Sequence, residues 1–423
     1  MRSSTKTEGV VPPLEAESGS TLRTFRALQY RDFRLLWTGL AVSAVGTWMQ
    51  IVALSLLVLD LTHGSAIALG IVSLTQALTF LLFAAIGGSF ADRFDRRRLL
   101  LVTQCLLIVF AVLLGVLTLT GLIRFWMILL LAFASSSTLS FDQPARNALV
   151  TSLVPKEHLM NAVSLQSAVF NGASILGPAL AGLSLSKIGY SGNFFLNAAS
   201  FLAVLAALLF LRTPKAENIP RRSGRLLDSV REALRYIRRD AVLPTVVPAY
   251  AALLFFGPSA ALALPVFAKE ILHIGPTQLG ILFSSIGAGT VVGALTLASL
   301  SDTTHKGRLV FGSILLWTVA LAAFGWSGSL RVAVPALFIL GAAQNVAGAT
   351  TITLLQMRVP LEMRGRAMSL NTLLIMCVRP LGDFPAGAVV AGLGLRPTVL
   401  LSVLLVGVAW LAILAGCPAV RSA

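Results

Sequence analysis

Two ionisable residues stand four positions apart inside a long apolar run, Arg379 and Asp383 in "MCVRPLGDFPAGAVVAG". Helical spacing places them on one face. An ionisable group in an apolar layer is costly enough that function is its default reading. Asp383 could titrate a coupling proton or contact a polar cargo, with Arg379 as its counter-charge. A structural ion pair locking the helix is the alternative. Neutral polar side chains such as Gln50, Gln166 and Asn371 recur in other apolar runs. They are candidates for the same path or for hydrogen bonds between helices. Other chemistries find no support. His63, His158, His273 and His305 show no metal-ligand spacing, and Cys105, Cys377 and Cys417 form no CxxC pair. The cysteines read as small buried residues. There is no nucleophile elbow and no phosphate loop. Neither an enzyme, a metal nor a cofactor is expected.

The elements that must position these residues follow from composition. The 423 residues are 56% hydrophobic and only 12% charged, whereas an average soluble domain carries about 25% charged residues. A bilayer removes the need for a charged surface. A spanning helix takes about 20 apolar residues, and twelve runs qualify. Spans 1–6 are read at 33–59, 67–90, 99–121, 125–147, 163–188 and 193–211, and spans 7–12 at 242–268, 278–300, 309–327, 332–355, 367–393 and 397–416. The expected architecture is an all-α membrane protein of two six-helix bundles, 31–211 and 242–417. A linker at 212–241 joins them. A polar N-terminal stretch, 1–30, reads as a disordered tail rather than a signal peptide, and 418–423 as a second tail.

The net charge of +16 is unevenly placed. Of 33 Lys and Arg, 27 fall on the side of both termini. Five (Arg124, Lys187, Lys269, Arg331 and Arg396) fall opposite, and Arg379 lies within a span. Positive residues accumulate on the cytoplasmic side. The basic face and both termini are therefore expected in the cytosol, and the charge is addressed to anionic lipid rather than to nucleic acid.

An internal repeat supports two halves. "VPKEHLMNAVSLQ" at 154–166 aligns with "VPLEMRGRAMSLN" at 359–371, and the register continues as Leu176-Gly177 on Leu381-Gly382. Parallel repeats of this kind are related by an axis along the membrane normal, with the substrate path between them near the midplane. The linker segment "RLLDSVREALRYIRRD" is amphipathic. It reads either as a helix lying on the leaflet or as one packed beneath the two halves.

The loop between spans 2 and 3 reads "GGSFADRFDRRR". Gly88, Asp92, Arg93, Arg96, Arg97 and Arg98 resemble the signature loop of major facilitator superfamily transporters, which usually has Gly where this chain has Asp95. A faded copy stands at 298–308. The resemblance covers the chain from about residue 28. It implies that Asp92 faces span 11 of the other half, and that Arg96 reaches an acid at the inner end of span 4, where Asp142 stands with Arg146 four residues on. The cluster then works as a latch that breaks when the halves rock; a static basic loop is the alternative. Gly172, Gly177, Pro178 and Gly182 in span 5 resemble the Gly-Pro motif of superfamily antiporters, although packing alone explains small residues. The antiporters' Arg inside span 4 is absent.

The segments 27–49, 61–78 and 141–166 look similar to the branch of exporters of siderophores and other small molecules. The resemblance implies a secondary active transporter in a bacterial inner membrane. It would act as a proton-coupled, monomeric exporter of a small amphipathic molecule. An importer or facilitator of the same fold is the alternative.

Overall fold

A computed structural model describes residues 25–212, 226–300, 305–360 and 363–416. Runs of Leu, Val, Ala and Ile satisfy their backbone polar groups within each helix, which lipid demands. The first helices are α1 (Arg31–Leu61), α2 (Ala66–Arg93), α3 (Arg96–Leu119) and α4 (Phe125–Ser152). A continuous helical stretch, Leu159–Phe210, then breaks at Gly189, whose φ of 65° favours glycine. Its arms are here α5 (159–188) and α6 (190–210). The chain reverses there. Along α5, the Trp37 indole donates to Leu165 O, and Gly177 packs on Trp48, so numbering rises together with α1. Along α6 it falls, Asn197 meeting Gln50 and Gly39 meeting Ala203.

After α7 (Leu226–Ile237) come α8 (Leu243–Phe256), α9 (Ala260–Glu270), α10 (Pro276–Ser299), α11 (Lys306–Trp326) and α12 (Leu330–Arg358). Then follow α13 (Arg364–Leu373), a π turn at Leu374–Val378, α14 (Arg379–Leu393) and α15 (Leu395–Gly416). Eleven stretches among the described residues are long and apolar enough to cross a membrane. One of them folds back at Gly189, which is consistent with twelve crossings.

Span 7 departs from the continuous helix expected over 242–268. It breaks at Gly257-Pro258-Ser259 into α8 and α9. Pro258 cannot donate a backbone hydrogen bond and restricts the residue before it. The Ser259 hydroxyl restarts the helix by accepting the Leu262 N–H at 3.2 Å. A Cβ on Gly257 would meet the Trp317 ring at 2.5 Å. Span 11 is also irregular, because the π turn inserts directly before Arg379.

The ends differ from expectation too. Residues 26–29 form a 3-10 turn in place of an unstructured tail. Ala27 is fully buried, its N–H donates to Asn161 Oδ1 at 2.9 Å, and Tyr30 bonds His158. The remainder of that tail, linker residues 213–225, Asp302 of the faded loop copy and the C-terminal tail lie outside the described residues. The linker helix α7 packs against the second bundle. Tyr236 donates to Arg358 O at 2.9 Å and Ile237 is buried, while Arg231, Arg235, Arg238 and Arg239 remain exposed.

Asp240 completes this joint. It accepts from the N–H groups of Val242 and Leu243 at 2.8 and 2.9 Å and lies 3.5 Å from the Arg358 guanidinium. Burial pushes its pKa up, but the Leu243 and Val242 amides and Arg358 outweigh burial and hold the carboxyl below its usual range. A depressed folded-state pKa contributes stability that is present above the unfolded value and lost as pH falls through the folded one. Thermal unfolding of the wild type should therefore lose stability as pH drops below the ordinary carboxylate range. Asp240→Asn should flatten that segment of the pH profile. Parallel profiles for the two proteins would exclude this role.

The halves meet along two seams. In one, α5 packs on α10: Ser284 Oγ donates to Ile175 O at 2.7 Å and Thr277 Oγ1 to Gly182 O at 3.3 Å. In the other, α2 packs on α14: a Cβ on Gly70 would lie 2.9 Å from Asp383 O, and one on Gly387 would lie 2.7 Å from Ala66 O. Both seams involve the ends of these helices remote from the arginine-rich loop. The second reaches inward as far as Ala77, whose carbonyl faces Cys377.

Candidate functional site: a central cavity between two helix-end clusters

On the basic face, the last turn of α2 carries Gly88, Asp92 and Arg93. Their side chains lie outside the described residues, and so does the contact expected between Asp92 and span 11. Asp95, at the position where the signature loop usually has Gly, caps α3 by accepting the Arg98 N–H at 2.8 Å. The Arg98 side chain is exposed.

Arg96 does not reach Asp142. It donates to the Ala148 carbonyl at 3.2 Å, further along α4. Asp142 is fully buried and already held by Thr103 at 2.9 Å, Gln104 at 2.8 Å and Arg146. Two of these donors share Oδ1 and Arg146 takes Oδ2, so the carboxylate's counter-charge comes from Arg146 rather than Arg96. Arg97 caps the end of α6 by donating to Leu208 O and Leu209 O at 2.7 and 2.8 Å. Positive charge suits a helix C-terminus.

On the opposite face, two elements converge on Asp60 of α1. Lys269 of α9 lies 3.1 Å away, and the Tyr190 hydroxyl of α6 donates to the same carboxylate. Asp60 is half-exposed, yet it bridges the two bundles. An exposed pair contributes only about 0.2–1 kcal/mol. Asp60→Asn should therefore raise the fraction open on this face a few-fold without locking it. The measurement is alkylation of a cysteine introduced at Thr277, and an unchanged labelling rate would remove Asp60 from gating.

Between the clusters lies a cavity of about 890 Å³, its open mouth included. Trp48 of α1, Phe170, Asn171 and Ser174 of α5, Phe283 of α10 and Phe324 of α11 wall it, with Gln344 of α12 and Arg379 of α14. The Trp48 and Phe170 rings are in contact, tilted at 56° with centroids 6.0 Å apart. Such a pocket, mostly apolar with a few convergent polar groups, is the usual form of a small-molecule site.

Arg379 and Asp383 do not form the ion pair considered from their spacing. Arg379 Nη2 donates to Gln344 Oε1 at 2.9 Å, and its Nε is buried without a partner. Asp383, 2% exposed, accepts the Ser259 N–H at 2.9 Å. It faces the N-terminus of α9, where unpaired amides and the helix dipole favour negative charge. Ser73 of α2 also lies against the carboxylate. The two charges thus point to different partners from one turn of α14.

The other singled-out residues separate. Gln50 accepts from Asn197 at 2.6 Å within the first bundle, away from the cavity. Gln166 is half-buried on α5, one turn before Phe170. Asn371 is buried with its Oδ1 unpartnered. In span 5, a Cβ on Gly177 would lie 2.4 Å from Trp48 Cβ, and one on Gly182 would lie 2.7 Å from Pro276 O. The Pro178 carbonyl meets Gly280 across the seam, whereas Gly172 faces open space. Sequence reading missed Trp48 and Ser259. The string Gly257-Pro258-Ser259 did carry a helix-start signal for the latter.

Comparison with known proteins agrees with this architecture. The family model described as transmembrane secretion effector matches residues 22–422. The chain is 27% identical to the multidrug efflux pump Tap of Mycolicibacterium fortuitum, covering 88% of this chain and 93% of that protein. It is 26% identical to the enterobactin exporter EntS of Shigella flexneri, covering 86% of each. Its fold superposes with a TM-score of 0.73 on a bacterial homologue of the human lysosomal transporter Spinster in an inward-facing, unoccupied conformation, at 15% identity and covering 93% of this chain and 98% of that one. A two-bundle helical membrane protein with a central cavity and the signature loop, matched over nearly its whole length, belongs to the transmembrane secretion effector family of major facilitator transporters.

Proposed function

We propose that this transporter is a proton-coupled exporter of small amphipathic molecules. It works by alternating access between bundles 31–211 and 242–417, with the basic face and both termini in the cytosol. The observation that carries the reading is the cavity itself. It is walled by both bundles, with seams α5–α10 and α2–α14 meeting at the end remote from the arginines. Under the positive-inside rule, this arrangement opens to the cytosol and is closed outside, the state that loads an export cargo. Rocking would part the Asp60–Lys269–Tyr190 contact and open the outer side, while the basic cluster closes the inner one.

Asp383 is the proposed coupling residue. Its ion–dipole contact holds α9, one half of broken span 7, against α14. Protonating it would weaken that hold, so a proton arriving from outside has a direct mechanical consequence. The exporter names among the relatives support the direction.

The test is uptake of a drug and siderophore panel into inverted vesicles, with and without an inward-acid gradient. Gradient-dependent accumulation of at least one compound is expected. Uptake confined to right-side-out vesicles would make the chain an importer.

A further inference from the structure

We infer that the cavity selects cargo bearing an anionic, acceptor-rich group, a carboxylate or phenolate set on a planar apolar body. This rests on the cavity being the transport site and names the class of molecule it takes. The residues lining it include one charged side chain, Arg379, and no carboxylate. The nearest acid in sequence, Asp383, is engaged by Ser259. Among the described residues, Arg379 has only the neutral Gln344 carbonyl as hydrogen-bond partner, and its Nε is buried and unpartnered. The Trp48 indole N–H, contributed by the other bundle, is likewise buried and unpartnered among the described residues.

Two residues that line the same space from opposite bundles thus each carry a buried donor without an acceptor. A buried donor left unmade is costly, and a buried guanidinium more so. A carboxylate offers several lone pairs and suits the forked guanidinium. The tilted Trp48–Phe170 pair, Phe283 and Phe324 supply aromatic apolar surface for the remainder. A cationic cargo would meet Arg379 with no compensating acid.

The test uses purified full-length protein in nanodiscs and three ligands of one skeleton: 1-naphthaleneacetate, its uncharged amide, and 2-(1-naphthyl)ethylammonium. Binding is read by calorimetry. The anion should bind about tenfold or more tighter than the amide, equivalent to about 1.4 kcal/mol, and the ammonium weakest. Arg379→Gln should remove the preference while amide binding persists. Arg379→Lys should keep part of it, which separates lost charge from lost fold. Trp48→Phe should weaken the anion a few-fold. No binding of the anion, equal binding of all three forms, or a preference that survives Arg379→Gln would overturn the inference. Vesicle export without anion preference would sink only this assignment, and anion binding without any transport would sink the exporter reading instead.

Discussion

Asp383→Asn should abolish gradient-driven accumulation in inverted vesicles, with a loss of at least tenfold in initial rate, about 1.4 kcal/mol or more in free-energy terms. Asparagine retains a carbonyl oxygen that can accept the Ser259 N–H, so the hold between α14 and α9 is weakened rather than removed and the fold should persist. What disappears is a group able to gain and lose a proton. Counterflow exchange of labelled for unlabelled cargo needs no net proton movement, and it should survive. That split distinguishes a coupling role from a structural one. A folded variant that still concentrates cargo against its gradient would show that Asp383 serves only to anchor α9.

The second large effect is expected at the seam. A Cβ on Gly287 would lie 2.4 Å from the Ser174 carbonyl oxygen, across the interface between bundles. That neighbour is helix backbone and cannot swing away. Overfilling a packed interface costs about 1–3 kcal/mol, enough to shift a two-state equilibrium by roughly tenfold to a hundredfold. Gly287→Val should keep the outer side from closing. Transport should fall to background while the protein still inserts, and a cysteine at Thr277 should label faster from outside. Unimpaired transport would mean that the α5–α10 approach is not part of the cycle. Gly172, with nothing within 4 Å of its Cβ position, serves as the control, and Gly172→Ala should be neutral at the seam.

Much of the scaffold was legible because the bilayer imposes a simple rule. Apolar runs of the required length marked every span to within a few residues, and the polar turn around Gly189 separated spans 5 and 6 even though their helices join almost without a gap. The break in span 7 was harder. Phe255-Phe256 before it and Ala260 to Leu264 after it are all apolar, so hydropathy runs across Gly257-Pro258-Ser259 unbroken, and only the cap and proline chemistry marks it.

The site was legible in its residues but not in its partners. Spacing placed Arg379 and Asp383 on one face, and local geometry alone made them each other's natural counter-charge. The competing partners come from far along the chain. Ser259 lies 124 positions from Asp383, and its amide is free only because span 7 breaks there. The same holds for Asp142, whose carboxylate is held by Thr103 and Gln104 of α3 and by Arg146, while Arg96 donates to the Ala148 carbonyl instead. The repeat implied a path between the halves but did not mark Trp48, since an aromatic in an apolar run looks the same whether it faces lipid or a cavity.

The most direct test of alternating access is the labelling of one cavity residue from each side of the membrane. With Cys105, Cys377 and Cys417 replaced by serine, a single cysteine at Ser174 reports on the cavity wall. A membrane-impermeant maleimide should label it readily in inverted vesicles and poorly in right-side-out vesicles at rest. Labelling from the outer side should rise once cargo and a proton gradient drive turnover. Equal labelling from both sides at rest, or no outer labelling during turnover, would contradict a cavity exposed to one side at a time.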